Sequence, residues 1–437
     1  MCAAEDPASS ETSDDPDQES PAPRLPAAAP FEPSVPANDV TPDDRAGGDA
    51  GAHGEHDRLF TSGFVRLLAM QAAYGFAFSL FFLLPKYLAA IGESPSRIGL
   101  VMAGFGVACV FTIPFLPEIA RRLGRRGALV AATTLLAAAA GAFAAVDRPG
   151  WTAIPLRASE GVTWTIMFST SLALTAEMAP RHRLAQAIGI AGAASLIMNA
   201  VAPAIGEPLA DHFGYRWVFA LAAVAALAAG ALARRLPAAA DASGAAAGAV
   251  GAGATTAEGV PPAAPARRAG LYVAFGLAGL AFGTLFTFLA PFALERGVRA
   301  IRLFFIGYTG SALAVRLLGG RMTDRIGHRS VAVVALAFYG VVVAAAAVVA
   351  PNHLFVLGIA FGLAHGAAFP ALMALLISGA RADQRPRVLG IANGAMSIGI
   401  SAVFPAGLLV ARLGYPATFV LAGVLTSASA MLIRKRR

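Results

Sequence analysis

Residues 320–329 read Gly320-Arg-Met-Thr-Asp324-Arg325-Ile-Gly327-His-Arg329, a charged interruption between two long apolar stretches, 303–320 and 330–350. Its basic end has an earlier copy. Arg122-Leu-Gly124-Arg125-Arg126 matches Arg325-Ile-Gly327-His-Arg329 at an offset of 203 (122 to 325). A second pair follows nearly the same spacing: Gly214-Tyr215 and Phe219 return as Gly414-Tyr415 and Phe419, at an offset of 200 (214 to 414). Punctuation that recurs between apolar stretches indicates a chain built twice from one unit.

Working outward from these marks, apolar stretches occupy 67–90, 98–119, 127–146, 151–177, 184–209 and 217–233. A second set occupies 270–295, 303–320, 330–350, 354–379, 388–411 and 415–433. About 20 apolar residues, wound as a helix, cross roughly 30 Å of hydrocarbon. A helix satisfies its own backbone groups, as a membrane interior requires. The expected fold is therefore an all-α integral membrane protein, with twelve transmembrane helices in two pseudo-symmetric six-helix bundles.

The expected divisions are an acidic, disordered N-terminal tail (1–57), a first bundle (58–235), a flexible Ala/Gly/Pro-rich linker (236–268) and a second bundle with a basic C-terminal tail (269–437). The tail holds fourteen Asp/Glu against two Arg and has little to bury, which is the composition of disorder. Ala and Gly bury little area per residue, so 236–268 reads as a linker and not as a further span. The first apolar stretch begins only after Leu59, so no secretory signal is expected at the start.

Composition agrees with this. Hydrophobic residues make up 57% of the 437 and charged residues 14%, where soluble domains carry about a quarter. The net charge of +8 could suggest nucleic acid, but the basic residues sit in short clusters between apolar stretches. With the N-terminus cytoplasmic, twenty-two Lys/Arg fall on the inner side and eight on the outer, with Arg157 and Arg316 inside spans. That asymmetry is the positive-inside pattern of an even-numbered bundle with both ends cytoplasmic. Cys2 and Cys109 provide neither a disulfide framework nor metal-ligand spacing, so no metal or cofactor is expected.

On these residues the chain resembles the major facilitator superfamily over roughly 59–433. Residues 320–329 fit that family's cytoplasmic signature, Gly-x-x-x-Asp-Arg-x-Gly-x-Arg. The resemblance implies a conformational latch made of Gly320, Asp324, Arg325, Gly327 and Arg329, with Arg122, Gly124, Arg125 and Arg126 as its first-half counterpart. That counterpart departs from the pattern: Pro117 stands at the Gly position and Arg121 at the Asp position, so a latch built on that Asp is either missing or rewired through Glu118.

Ile154-Pro-Leu-Arg157-Ala-Ser-Glu160-Gly161 is similar to the Leu-x-x-Arg-x-x-Gln-Gly motif of proton-coupled members, with Glu160 for the Gln. Arg157 and Glu160, three apart, share a helix face. Two readings stand: Glu160 loses and regains a proton tuned by Arg157, or the two form a static ion pair near the outer end of the span. His365, beside Gly366 in the tenth span, is either a proton carrier or substrate contact, or a neutral His bonded to a backbone carbonyl. Ala202-Pro203-Ala-Ile-Gly206-Glu207 partly resembles the Gly-Pro-x-x-Gly-Gly signature of antiporters. Candidates for the substrate cavity are Gln71, Tyr74, Asn199, Tyr308 and Asn393, with the aromatic Trp164 and Phe168. Arg316 is expected to snorkel toward the cytoplasmic end of its span.

No phosphate-binding Gly-rich loop, zinc-protease pair or nucleophile elbow occurs, which argues against an enzyme and against nucleotide-driven pumping. The resemblance implies a secondary active transporter working by alternating access, similar to the bacterial proton-coupled efflux members and set in a bacterial inner membrane. Its partners would be a small-molecule substrate, protons and the lipid bilayer, with no nucleic acid, and it would work as a monomer. The leading expectation is proton-coupled export of a small organic molecule. The rivals are an uptake symporter for a metabolite and a receptor or scaffold that kept the fold without transport.

Overall fold

The computed structural model describes residues 59–236, 265–348, 350, 353–378, 380–381 and 384–433. The acidic tail, most of the linker and the basic residues 434–437 lie outside them. Every regular element described is helical. Eight stretches are long and apolar enough to cross a membrane, and two of these, Pro95–Ala145 and Arg387–Ile433, run to 51 and 47 residues. Each of the two doubles back at a glycine. The helices Ala153–Met178 and Arg302–Ile326 have the length but are more polar, and with them the described residues provide twelve crossings.

In order, the first six are span 1 (Ser62–Ala90), span 2 (95–123), span 3 (125–145), span 4 (Ala153–Met178), span 5 (Leu184–Phe213) and span 6 (Tyr215–Arg234). The second six are span 7 (Pro265–Glu295), span 8 (Arg302–Ile326), span 9 (His328–Ala345), span 10 (Leu354–Ser378), span 11 (385–413) and span 12 (415–433). Span 7 begins at Pro265, within the stretch expected to be linker. Span 1 tightens into a 3-10 turn at Phe81–Leu83 and resumes with Pro85 in its first turn, where the missing N–H costs nothing.

The repeat marks turn out to be the tight corners of the fold. The helix of span 8 runs through most of the motif expected to be a loop and ends at Ile326, so the turn is confined to Gly327 (φ 89°). Gly124 turns span 2 into span 3 in the same way, with φ 63° and ψ 170°. That backbone region is essentially open to glycine alone. Gly214 and Gly414 make the corresponding corners at the opposite end of the bundle.

Within each half, aromatic side chains fill the core. Phe81, Phe143 and Phe219 pack together in the first half, with Phe81–Phe219 ring centroids 5.3 Å apart. Phe286, Phe304, Tyr308 and Phe361 do the same in the second. Without a hydrophobic drive between helices in lipid, close approach depends on small residues. Spans 2 and 11, from opposite halves, meet through glycine: a Cβ added to Gly99 would lie 2.5 Å from the Val403 carbonyl, and one on Gly407 would lie 2.6 Å from that of Pro95. Gly106 continues the seam, where a Cβ would lie 2.5 Å from the Ser397 carbonyl. These residues lie toward the outer end of the bundle, the end that carries the Gly214 and Gly414 corners.

Candidate functional site

Arg157 and Glu160 are both buried in span 4, at 5% and 0% exposure. Their three-residue spacing brings them together, and Arg157 Nη1 donates to Glu160 Oε2. The guanidinium also lies over the Phe105 ring of span 2, 4.9 Å from its centroid. Gly161 makes this approach possible, because any Cβ there would strike the Phe105 carbonyl and come within 3.0 Å of Ala108 Cβ. Cys109 Sγ donates to the Gly161 carbonyl across the same contact, at 3.4 Å.

Hydrogen bonding extends the site into span 1. Thr163 Oγ1 donates to the Glu160 carbonyl at 2.9 Å, so its oxygen is left to accept from Tyr74 Oη at 3.1 Å. Gln71 lies one turn before Tyr74 on the same helix. Three buried polar atoms here have no hydrogen-bond partner among the described residues: Gln71 Nε2, Arg157 Nε and Glu160 Oε1. An unpartnered buried polar atom costs about 1–3 kcal/mol. The site is thus an internally neutralised ion pair with two donors and one acceptor to spare. That chemistry suits a transferable proton or a polar substrate group.

The other expected cavity residues divide. Trp164 stacks on Phe78 (4.7 Å) and on Phe168 (5.9 Å), and Phe168 remains exposed. Phe78 also touches Tyr74 and Phe105, so Tyr74, Arg157, Glu160 and Trp164 belong to one cluster, with Gln71 buried one turn before Tyr74. Asn199 is engaged elsewhere, accepting from Ser79 Oγ at 2.8 Å to tie span 5 to span 1. Tyr308 is buried in the second half's aromatic core, and Asn393 is half-buried on span 11.

His365 belongs to that second core and not to the ion-pair cluster. Phe282, Tyr308, Tyr339, Phe361 and Phe369 surround its ring. Its Nδ1 lies 3.3 Å from Tyr339 Oη of span 9. A tyrosine hydroxyl therefore takes the place of the backbone carbonyl that the sequence suggested.

Of the residues expected to form a latch, the side chains of Asp324 and Arg325 lie outside the described residues, although the backbone from Gly320 onward continues span 8. Gly327 forms the corner and Arg329 follows it in the first turn of span 9. The first-half counterpart is described. Glu118 accepts from Arg121 Nε at 2.7 Å and pairs with Arg122, while Arg125 pairs with Glu177 at the end of span 4. Glu118 thus sits among the arginines that follow it, and Arg126 is exposed beside them. Arg316 is exposed, and its Nη1 lies 4.0 Å from where a Cβ on Gly192 of span 5 would stand.

One polar cluster is absent from the sequence-based expectations. Lys86 of span 1 and Glu207 of span 5, both buried, pair at 2.5 Å in the outer part of the bundle. Both reach across to the segment between spans 7 and 8. Lys86 Nζ donates to the Arg299 carbonyl at 2.7 Å, and Glu207 accepts from Ile301 N and Arg302 N, each at 2.9 Å. In the antiporter-like motif Glu207 stands where the signature has its last glycine. The available signal was that a Lys and a Glu within apolar helices each need an opposite charge.

A family model described as Major Facilitator Superfamily matches residues 67–315 and 271–437. No curated protein matches the chain by sequence. Solved structures do match by shape. A nucleoside transporter, NupG, has a TM-score of 0.66 at 13% identity, covering 85% of this chain and 98% of that one. A D-xylose-proton symporter gives 0.64 at 15%, covering 85% and 97%. The human organic anion transporter MFSD10 (TETRAN) gives 0.60 at 15%, covering 85% and 99%.

Proposed function

The chain belongs to the major facilitator superfamily, and from that premise we propose that it exports a small, amphipathic organic molecule in exchange for protons. As a member it is a multi-pass secondary transporter and not an enzyme. Such a protein moves its substrate by rocking two halves about a site between them. The proposal adds the direction, the coupling ion and a bacterial inner-membrane setting.

The observation that carries it is the buried Arg157–Glu160 pair with its unpartnered Nε and Oε1. A charge at the depth of a span is costly and marks ion or proton pathways. Here Glu160 exchanges its proton as the site faces each side in turn. Arg157 stays paired with the carboxylate until substrate or a change of state weakens the pair. One charge crossing 100 mV yields about 2.3 kcal/mol, enough for a substrate ratio of several tens. The aromatic faces of Trp164, Phe78 and Tyr74 beside the pair suit an apolar body with a polar head. Pro203 and Gly206 in span 5 favour export, with Gly206 closely covered by Leu83 of span 1.

The test uses everted vesicles from cells overproducing the protein, energised to an acidic interior and challenged with a broad panel of amphipathic compounds. A compound that discharges the gradient in wild-type vesicles and not in Arg157→Ala vesicles supports exchange and identifies the substrate class. If no compound does so, while metabolite uptake in the opposite orientation depends on Arg157, the direction proposed here is wrong.

A further inference from the structure

We propose that Lys86 and Glu207 form a clasp that keeps the outer end of the bundle shut by gripping the backbone of residues 299–302, and that its release commits the protein to the outward-facing state. The inference is independent of proton exchange and rests on the fold and on this cluster alone.

The arrangement is asymmetric in an informative way. Both charged side chains belong to the first half, on spans 1 and 5. Apart from the bond between them and a distant contact of Lys86 with Asp211 (3.8 Å), the polar partners described for them lie in the second half. Glu207 accepts from Ile301 N, Arg302 N and Arg302 Nη1, the last at 3.2 Å. Lys86 donates to the Arg299 carbonyl. The carboxylate therefore satisfies N–H groups at the start of span 8, which begins at Arg302 and has no helical carbonyl to offer them. An acidic group at that end also meets the positive pole of the helix.

Directly inside the clasp, Phe82 of span 1 packs against Phe286 of span 7 and Phe305 of span 8, with centroids 5.1 and 5.3 Å apart. Beside it runs the glycine seam between spans 2 and 11. The outer closure thus combines a polar clasp, an aromatic layer and a backbone seam, and each crosses from one half to the other.

Opening this end takes the second-half partners away from Glu207 and leaves Lys86 in place. A lone buried carboxylate would be stranded by that separation. A carboxylate that keeps its ammonium on its own half is not, so the clasp can release and re-form in every cycle. Because the grip is largely on main-chain atoms, the side chain of Arg299 should be dispensable, since only its carbonyl is used.

The experiment is hydrogen–deuterium exchange on the full chain in lipid nanodiscs, following peptides that cover 298–304 at the outer end and 384–392 at the inner end of span 11. Glu207→Ala is compared with wild type and with Arg299→Ala. Should a lone Lys86 impair folding, Lys86→Met combined with Glu207→Met removes both charges at similar volume. The clasp predicts exchange at least tenfold faster at 298–304 and slower at 384–392, as the outer end opens and the inner end closes, with Arg299→Ala like wild type. Unchanged exchange at 298–304 overturns the proposal. So does faster exchange there with 384–392 unaltered, because that is fraying of one helix start and not a change of state.

Discussion

Replacing Arg157 and Glu160 singly and together separates the worth of their ion pair from its role in transport. Arg157→Met leaves a carboxylate at 0% exposure with its charge partner gone and only Oε1 and Oε2 facing buried surroundings. Removing one partner of a buried pair costs about 3–5 kcal/mol, whereas replacing both with apolar groups of similar volume is often neutral. At about 1.4 kcal/mol per tenfold, the single change lowers the folded-to-unfolded ratio by roughly two to four powers of ten. Glu160→Met strands the guanidinium instead, at a similar cost, since its contact with the Phe105 ring, 4.9 Å away, is already made in the wild type. The double variant should lie within about 1 kcal/mol of wild type, a coupling of at least about 3 kcal/mol. Chemical denaturation of purified protein in detergent micelles measures all three against wild type, and the double variant should be stable yet unable to use a proton gradient. If the single losses simply add, the two residues are not a unit and the coupling argument fails at its first step.

Further outcomes follow from the same structure. Gly161→Ala places a Cβ against the Phe105 carbonyl inside the first half, so it should lower thermal stability by about 1–3 kcal/mol without favouring either state. Gly106→Val crowds Ser397 across the seam between halves, so it should shift the population toward the outward-facing form, read as increased labelling of cysteines placed along that seam. Gly327→Ala must hold φ 89° with a side chain, costing about 1–3 kcal/mol of stability in a melting experiment. Glu118→Ala removes exposed ion pairs with Arg121 and Arg122 and should leave the melting temperature unchanged.

The spans and corners were legible because each rests on local chemistry. About 20 apolar residues dictate a membrane helix wherever they occur, and the glycine marks at 124, 214, 327 and 414 repeat because each corner needs a positive φ. The motif at 320–329 was harder to place: its charges suggested a loop, yet arginine and methionine are good helix formers and the helix carries on to Ile326. Arg157 and Glu160 were legible as a pair because their partners lie three residues apart. Lys86 and Glu207 were not, since what they hold lies 213 and 94–95 residues further along the chain and is mostly main chain, which carries no sequence signature. Tyr339 beside His365 and Ser79 beside Asn199 are side-chain partners, but 26 and 120 residues away, where no local spacing marks them.

The most direct test of the central claim uses Glu160→Gln in proteoliposomes with a substrate found by the vesicle screen. Two fluxes are compared: exchange of labelled for unlabelled substrate without a gradient, and accumulation driven by a proton gradient. If Glu160 carries the coupled proton, the variant keeps exchange near the wild-type rate and loses driven accumulation. Accumulation that survives in Glu160→Gln, at a substrate ratio equal to wild type, would contradict the account.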